Sequence, residues 1–146
     1  MQIRHNALIL VADGRKYLLL RNHGTPAEPR LAFEGGGEKT NPRTRDQGTD
    51  QPGRAFASVG GARSAVEQTD FHQLEEDRFA ADVAGMLGQL ARAGDFEELI
   101  VVAPPRTLAE LRGNYDRAVA GKVVAEVDKD LTRHPVPDIT AILSEG

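Results

Sequence analysis

The chain has 146 residues, of which 40% are apolar, and 18 basic against 22 acidic residues give a net charge of -4. This profile predicts one soluble globular domain over residues 1–146, large enough to bury a core without a metal or disulfide staple. The absence of cysteine excludes disulfides, thiolate catalysis and Cys-ligated metal centres. The acidic balance excludes a protein-wide basic surface for duplex nucleic acid.

Hydropathy along the chain favours a cytoplasmic location. No stretch approaches the roughly 18 continuous apolar residues that a membrane-spanning helix needs. The apolar run at residues 7–12 is too short for the core of a signal peptide.

The first third of the chain predicts an antiparallel meander. Residues 7–12 are a compact apolar run typical of a buried strand. Asp13 and Gly14 follow as a hairpin signal, because both residue types tolerate positive φ. Residues 16–21 and 30–34 then predict a second and a third strand.

Residues 35–70 break this pattern and predict a long Gly-rich, basic loop. The segment opens with three consecutive glycines and has few large apolar residues, so it buries little surface. Between residues 39 and 66 five basic residues stand against two acidic ones, a local charge of +3: Lys39, Arg43, Arg45, Arg54 and Arg63 against Asp46 and Asp50. A loop of this length is either functional or a solvated insertion without a role, and the sequence leaves both open.

A long helix is expected after this loop. Asp70 is the predicted N-cap, with Gln73 as its capping-box partner. Apolar residues then recur at helical spacing and form one face: Phe79, Val83, Met86, Leu87 and Leu90.

The remaining chain predicts alternating strands and helices. Residues 99–103 and 123–127 are apolar strands, and Pro105 suits the first position of a short helix between them. A further helix is expected at the C-terminus. The order of strands and helices predicts an α/β fold, with a five-stranded mixed sheet carrying helices on its faces, similar to ribonuclease H-like and ribosomal-protein-like architectures.

Arg106 and several carboxylates are the candidates for chemistry. Arg106 follows a buried strand and begins a helix, a position that attracts anions, although an exposed arginine or an ion pair with Glu110 is the alternative. Strand and helix order also suggests a nuclease-like hydrolase with two metal ions held by Asp13, Glu75 or Glu76, and Asp128. A hairpin turn and helix capping explain these acidic residues equally well.

The histidines give no metal-ligating pattern. Only His72 and Glu76 share a ligand-like spacing, so we predict neither a metal site nor a cofactor.

Three stretches together resemble the bacterial host attachment family. They are Pro-Gly-Arg-Ala-Phe at residues 52–56, Val-Ala-Pro-Pro-Arg-Thr-Leu at 102–108 and Glu-Val-Asp-Lys-Asp-Leu at 126–131. That family is in turn similar to the middle domain of archaeo-eukaryotic peptide release factors. In those factors a Gly-Gly-Gln loop precedes a long helix and enters the peptidyl-transferase centre of the ribosome.

This resemblance implies a non-catalytic binding module that contacts structured RNA or the ribosome. Gly60 and Gly61 occupy the place of the release-factor glycines, but Ala62 stands where the glutamine would be. Arg54 and Arg63 would bind phosphates, and Phe56 would either stack on a base or pin the loop to the body of the domain. The two glycines would either allow close backbone approach to RNA or only make the loop flexible.

Two alternatives stay open. One is a hydrolase acting on an ester or phosphodiester, with Arg106 and nearby carboxylates in a cleft at the strand ends. The other is a protein-interaction factor that affects attachment to host cells indirectly.

Overall fold

The computed structural model describes residues 1–38 and 61–145, and for residues 61–72 the backbone alone. The first strands are β1 (Leu8–Ala12), β2 (Lys16–Asn22) and β3 (Leu31–Glu38), followed by the long helix α1 (Gly61–Arg92). The second half comprises β4 (Leu99–Ala103), α2 (Pro105–Asn114), α3 (Arg117–Ala120), β5 (Val123–Asp128) and α4 (Val136–Glu145).

The five strands form one mixed sheet in the order β3-β2-β1-β4-β5, which confirms the predicted fold class. β1 is antiparallel to β2 and parallel to β4, and β4 is parallel to β5. β2 and β3 pair in antiparallel register with an irregularity between Leu19 and Leu20. The meander therefore contributes one half of the sheet and the β-α-β unit the other.

The sheet is covered on both faces, because every residue of β1 and β4 is buried. On one face Leu10 and Val101 pack against α1, α2 and α3, with Leu87 and Leu111 fully buried at that interface. On the opposite face the core includes the following residues: Ile3, Ile9, Leu20, Ile100, Val102, Leu131, Ile139 and Leu143. The N-terminal segment and α4 thus close the second face.

Two predicted boundaries are wrong. The predicted loop starts too early, because Gly35, Gly36 and Gly37 lie within β3 and pair with β2. It also ends too late, because α1 begins at Gly61 and Asp70 is inside the helix rather than at its N-cap. The part of the predicted loop at residues 39–60 lies outside the described residues.

Arg21 joins three segments at the edge of the sheet where β1 and β4 begin. Its Nε donates to both carboxylate oxygens of Glu34 on β3 at 3.1 Å, and its Nη2 donates to Asp95 at 2.7 Å. Its Nη1 donates to the backbone carbonyls of Asn6 and Asp95. Burial lowers the pKa of Arg21, but the bonds to both carboxylates outweigh this effect and shift the pKa upward.

Tyr115 follows α2 and is half-buried, and its hydroxyl oxygen is shielded from solvent without a hydrogen-bond partner among the described residues. Burial raises the pKa of Tyr115, and the nearby carboxylate of Glu126 raises it further. Because the hydroxyl has lost water and gained no protein partner, it destabilises the fold.

We expect Arg21→Met to lower the free energy of unfolding by about 2–3 kcal/mol, because two carboxylates and two carbonyls lose their shared donor. Urea unfolding followed by circular dichroism measures the change. Arg4→Met is the matched control, since the Arg4 side chain is 76% exposed and pairs with Glu98 at 3.5 Å. An Arg21→Met loss no larger than that of the control would contradict the structural role of Arg21.

Tyr115→Phe should be at least as stable as the natural chain at neutral pH. The folded pKa of Tyr115 lies above the ordinary value of 10.0, so as pH rises the unfolded chain loses this proton first. The raised pKa stabilises the folded natural chain below pH 10.0, and this contribution to the free energy of unfolding is lost as the pH rises above 10.0. The Tyr115→Phe variant has no such group and shows no such loss. The gap in unfolding free energy should widen by up to about 1.4 kcal/mol per pH unit in that range. A gap that stays constant in urea titrations from about pH 8 to pH 11 would argue against a buried neutral phenol.

Candidate functional site

Three parallel strands end at the same edge of the sheet, here called the carboxyl edge. β1 is followed there by Asp13, β4 by Pro104, and β5 ends at Asp128. Open α/β sheets bind ligands outside the carboxyl ends of their strands. The carboxyl edge is therefore the first place to compare with the predicted site residues.

Asp13 holds the turn between β1 and β2. Its Oδ1 accepts hydrogen bonds from the backbone N–H groups of Arg15 and Lys16, both at 2.7 Å. Its Oδ2 accepts a bond of 2.8 Å from the hydroxyl of Thr132, which is 2% exposed and also lies 3.1 Å from Asp130. Both oxygens of Asp13 are thus engaged in fixing the turn and the segment after β5.

A cleft of about 220 Å³ lies beside this turn, between α1 and α2. Its lining residues are Gly14, Gln73, Glu76, Asp77, Pro104, Arg106, Thr107 and Glu110. The side chain of Glu76 lies so close to Gly14 that a Cβ at that position would stand 2.8 Å from it. The backbone of the first turn thus forms one wall of the cleft.

Arg106 is the basic residue among those that line the cleft. It is exposed in the first turn of α2 and makes no ion pair within the described part of the chain, so of the two alternatives to anion binding the exposed arginine is observed and the pair with Glu110 is not. Pro104, the N-cap residue of α2, makes no side-chain capping bond. Because three carboxylates share the cleft with one guanidinium, its electrostatics do not favour a phosphate group.

The other predicted binding residues lie away from this cleft or outside the described part of the chain. Arg54, Phe56 and Gly60 are outside the described residues, Gly61 is the first residue of α1, and Arg63 lies in the first turn of α1. Gln73, which lines the cleft with Arg106, follows Arg63 by ten positions, or roughly 15 Å of helix. The described backbone therefore separates Arg106 from the start of α1.

The first half of α1 extends past the carboxyl edge. Glu76 is level with the turn that ends β1, and the helix begins at Gly61. At about 1.5 Å per residue, the intervening helix is roughly 22 Å long. Among the side chains described on α1, the buried ones begin at Phe79. The start of α1 is thus carried away from the core of the sheet.

The carboxylates proposed for a two-metal nuclease do not assemble. Among residues 1–38 and 73–145, no three His, Asp or Glu side chains lie close enough to hold a metal ion. Asp13 is committed to its turn, and Asp128 is exposed at the end of β5. The two-metal form of the hydrolase hypothesis therefore lacks its ligand set in the described part of the protein.

Sequence reasoning missed an apolar groove on the α1 face of the sheet, beside the edge strand β3. This groove has a volume of about 380 Å³ and is lined by the following residues of β2, β3 and α1: Tyr17, Gly37, Glu38, Phe79, Asp82, Val83 and Met86. The sequence feature that could have indicated the groove is the glycine triplet directly after the predicted third strand, because glycines within a strand leave space on its faces. By composition alone the triplet predicts a loop.

The comparison with family models decides the relationship. The chain belongs to bacterial archaeo-eukaryotic release factor family 12. The model of this family matches residues 6–143, which confirms the resemblance to release factors over nearly the whole chain. No match was found among curated proteins.

The search for membrane-spanning helices gave a negative result for the described residues. No helix there is long and apolar enough to cross a bilayer.

We expect Asp13→Ala to lower the free energy of unfolding by about 2 kcal/mol, because two turn N–H groups lose their acceptor and the buried Thr132 hydroxyl keeps only its longer bond to Asp130. Thermal and urea unfolding measure this loss. Asp128→Ala is the matched control, since the Asp128 carboxylate is exposed and makes no hydrogen bond with the described residues. Equal stability of the two variants would show that Asp13 has no structural role.

Proposed function

We propose that this release-factor-family protein is a cytoplasmic, translation-linked binding module that contacts structured RNA or the ribosome without catalysing peptide release. The observation that carries the proposal is the family match over residues 6–143. Release factors act at the ribosome. Their Gly-Gly-Gln loop directly precedes a long helix, and in this protein the connection that follows β3 likewise precedes the long helix α1.

The contact is assigned to the connection between β3 and α1 and to the start of α1. The described backbone supports this choice because the first half of α1 extends past the carboxyl edge. The sequence between residues 39 and 66 carries a charge of +3, whereas the rest of the chain has 13 basic and 20 acidic residues. Phosphate groups are therefore attracted to this segment and repelled by the remainder.

Arg54 and Arg63 are the proposed phosphate contacts, Phe56 the proposed stacking residue, and Gly60 and Gly61 the positions of close backbone approach. Ala62 follows the two glycines in place of the release-factor glutamine. Alanine has no side-chain amide to orient a water molecule against the peptidyl-tRNA ester. Binding without ester hydrolysis is the activity that this residue permits.

An effect on attachment to host cells would be indirect under this proposal, through the translation of other proteins. Arg106 is not part of the proposed RNA contact, because it shares its cleft with Glu76, Asp77 and Glu110.

The test is binding to purified bacterial ribosomes and to a structured ribosomal RNA fragment over a range of salt concentrations. We expect the variant Arg54→Ala/Arg63→Ala to bind more weakly at low salt. Its plot of log K against log salt should be less steep by about 1.5, because two phosphate contacts are lost.

The matched control is Arg30→Ala/Arg117→Ala, which removes the same charge from exposed positions elsewhere on the protein. Equal binding of the two double variants would contradict a specific contact at residues 39–66. So would the absence of binding by the natural chain at low salt.

A further inference from the structure

β3 is an edge strand with an outer side that no strand of the described chain covers. It is the outermost strand at one end of the sheet and spans eight residues, Leu31–Glu38. An uncovered edge strand presents a row of N–H and C=O groups that can pair with another extended segment. A long exposed edge of this kind is unusual unless something pairs with it.

At Gly35 and Gly37, β3 has no side chain on the face that lies toward α1. Gly35 and Gly37 pair with Leu19 and Tyr17, and these two β2 residues face the α1 side of the core. A Cβ placed on Gly35 meets nothing within 4 Å, so the space above it is open. Within residues 1–38 and 61–145, the flank of α1 next to β3 is consequently left uncovered.

The apolar groove described above occupies this space. Phe79 and Val83 form its floor on α1, Met86 and Tyr17 are partly exposed within it, and the Tyr17 and Phe79 rings lie 6.2 Å apart. A Cβ on Gly37 would stand 2.8 Å from the Tyr17 ring. Glycine at position 37 is therefore needed for the ring to lie against β3 and shape the groove.

The rim of the groove is acidic. Glu38 and Asp82 are exposed carboxylates that line it, and neither makes an ion pair with a described residue. Lys16 is the cross-strand neighbour of Glu38, but the two side chains are not within ion-pair distance. Carboxylates around an apolar groove, unpaired within the described part of the chain, complement a partner with apolar residues between basic ones.

We propose that the outer edge of β3 and the adjoining groove form a docking surface for an extended, basic segment of another protein. The segment pairs with β3 as a sixth strand. Its residues at alternate positions place apolar side chains over Gly35 and Gly37, and its lysines or arginines approach Glu38 and Asp82. Main-chain bonds to β3 supply affinity, and the groove supplies specificity, as in other cases of strand addition.

The test uses nuclear magnetic resonance of the labelled full chain titrated with the synthetic peptide Lys-Lys-Val-Ser-Phe-Ser-Val-Lys-Lys, in which the two valines, the phenylalanine and the outermost lysines share one face of a strand. We expect chemical-shift changes in the β3 amides and in the Met86 methyl group. The matched peptide with glutamate in place of every lysine should bind at least about tenfold more weakly.

Two variants and one control test whether the peptide binds at this surface. Glu38→Lys/Asp82→Lys should weaken binding of the lysine peptide by about tenfold, whereas the control Glu28→Lys/Glu97→Lys changes the same charge at exposed positions elsewhere and should bind as the natural chain does. Met86→Gln keeps the side-chain size and should weaken binding about fivefold by making the groove polar.

Three outcomes would overturn the proposal. They are equal binding of the lysine and glutamate peptides, shift changes that avoid β3, and a concentration-dependent dimer in sedimentation experiments that protects the β3 amides. The last result would assign the edge to a second copy of this chain. Ribosome binding by Glu38→Lys/Asp82→Lys does not enter this test, so the docking surface and the proposed RNA contact fail independently.

Discussion

Burial of β1 and β4 on both faces is the constraint on which the rest of the structure depends. Each strand is a continuous apolar run, so neither face can be left to water. One face is covered by α1, α2 and α3 and the other by α4 and the N-terminal segment. The outer strands β3 and β5 do not need to be buried on both faces, and they contain exposed and small residues. The candidate surfaces therefore lie at the margins of a buried centre.

The central elements were predictable because apolar pattern alone determines them. Residues 7–12 and 99–103 are buried runs bounded by turn residues, and both form strands as expected. A turn also forms at Asp13 and Gly14 as predicted, but neither residue adopts the positive φ that the prediction assumed. Asp13 holds the turn instead by accepting hydrogen bonds from the N–H groups of Arg15 and Lys16. In these places local preference and tertiary burial favour the same structure.

The two wrong boundaries arise where that agreement fails. Gly35, Gly36 and Gly37 have no intrinsic strand preference, and pairing with β2 holds them in β3. The apolar periodicity of α1 is confined to the half that packs on the sheet, so a pattern search cannot locate a helix start at Gly61. Asp70 resembles an N-cap by residue type, but type alone does not show whether backbone donors nearby are unsatisfied.

The candidate surfaces were less accessible to sequence reasoning than the fold. Arg106 was placed correctly at a strand end, but its acidic neighbours come from α1 and from farther along α2, so the character of the cleft depended on how the helices pack. The groove beside β3 combines residues from β2, β3 and α1 that no local pattern relates. Its decisive feature is the absence of side chains at Gly35 and Gly37, which a sequence shows only as missing apolar content.

The two proposed contacts use opposite charges, and this separates their partners. The body of the chain is acidic, so a phosphate-rich partner is repelled from most orientations and is drawn to the basic segment at residues 39–66. A basic protein segment is attracted by the same acidic body and finds main-chain partners along the edge of β3. Glu38 is the last described residue before the basic segment and also a rim residue of the groove. The local charge along the sequence therefore changes from negative to positive at the end of β3. The proposed protein-docking surface lies before this point in the sequence, and the proposed RNA-contacting segment follows it.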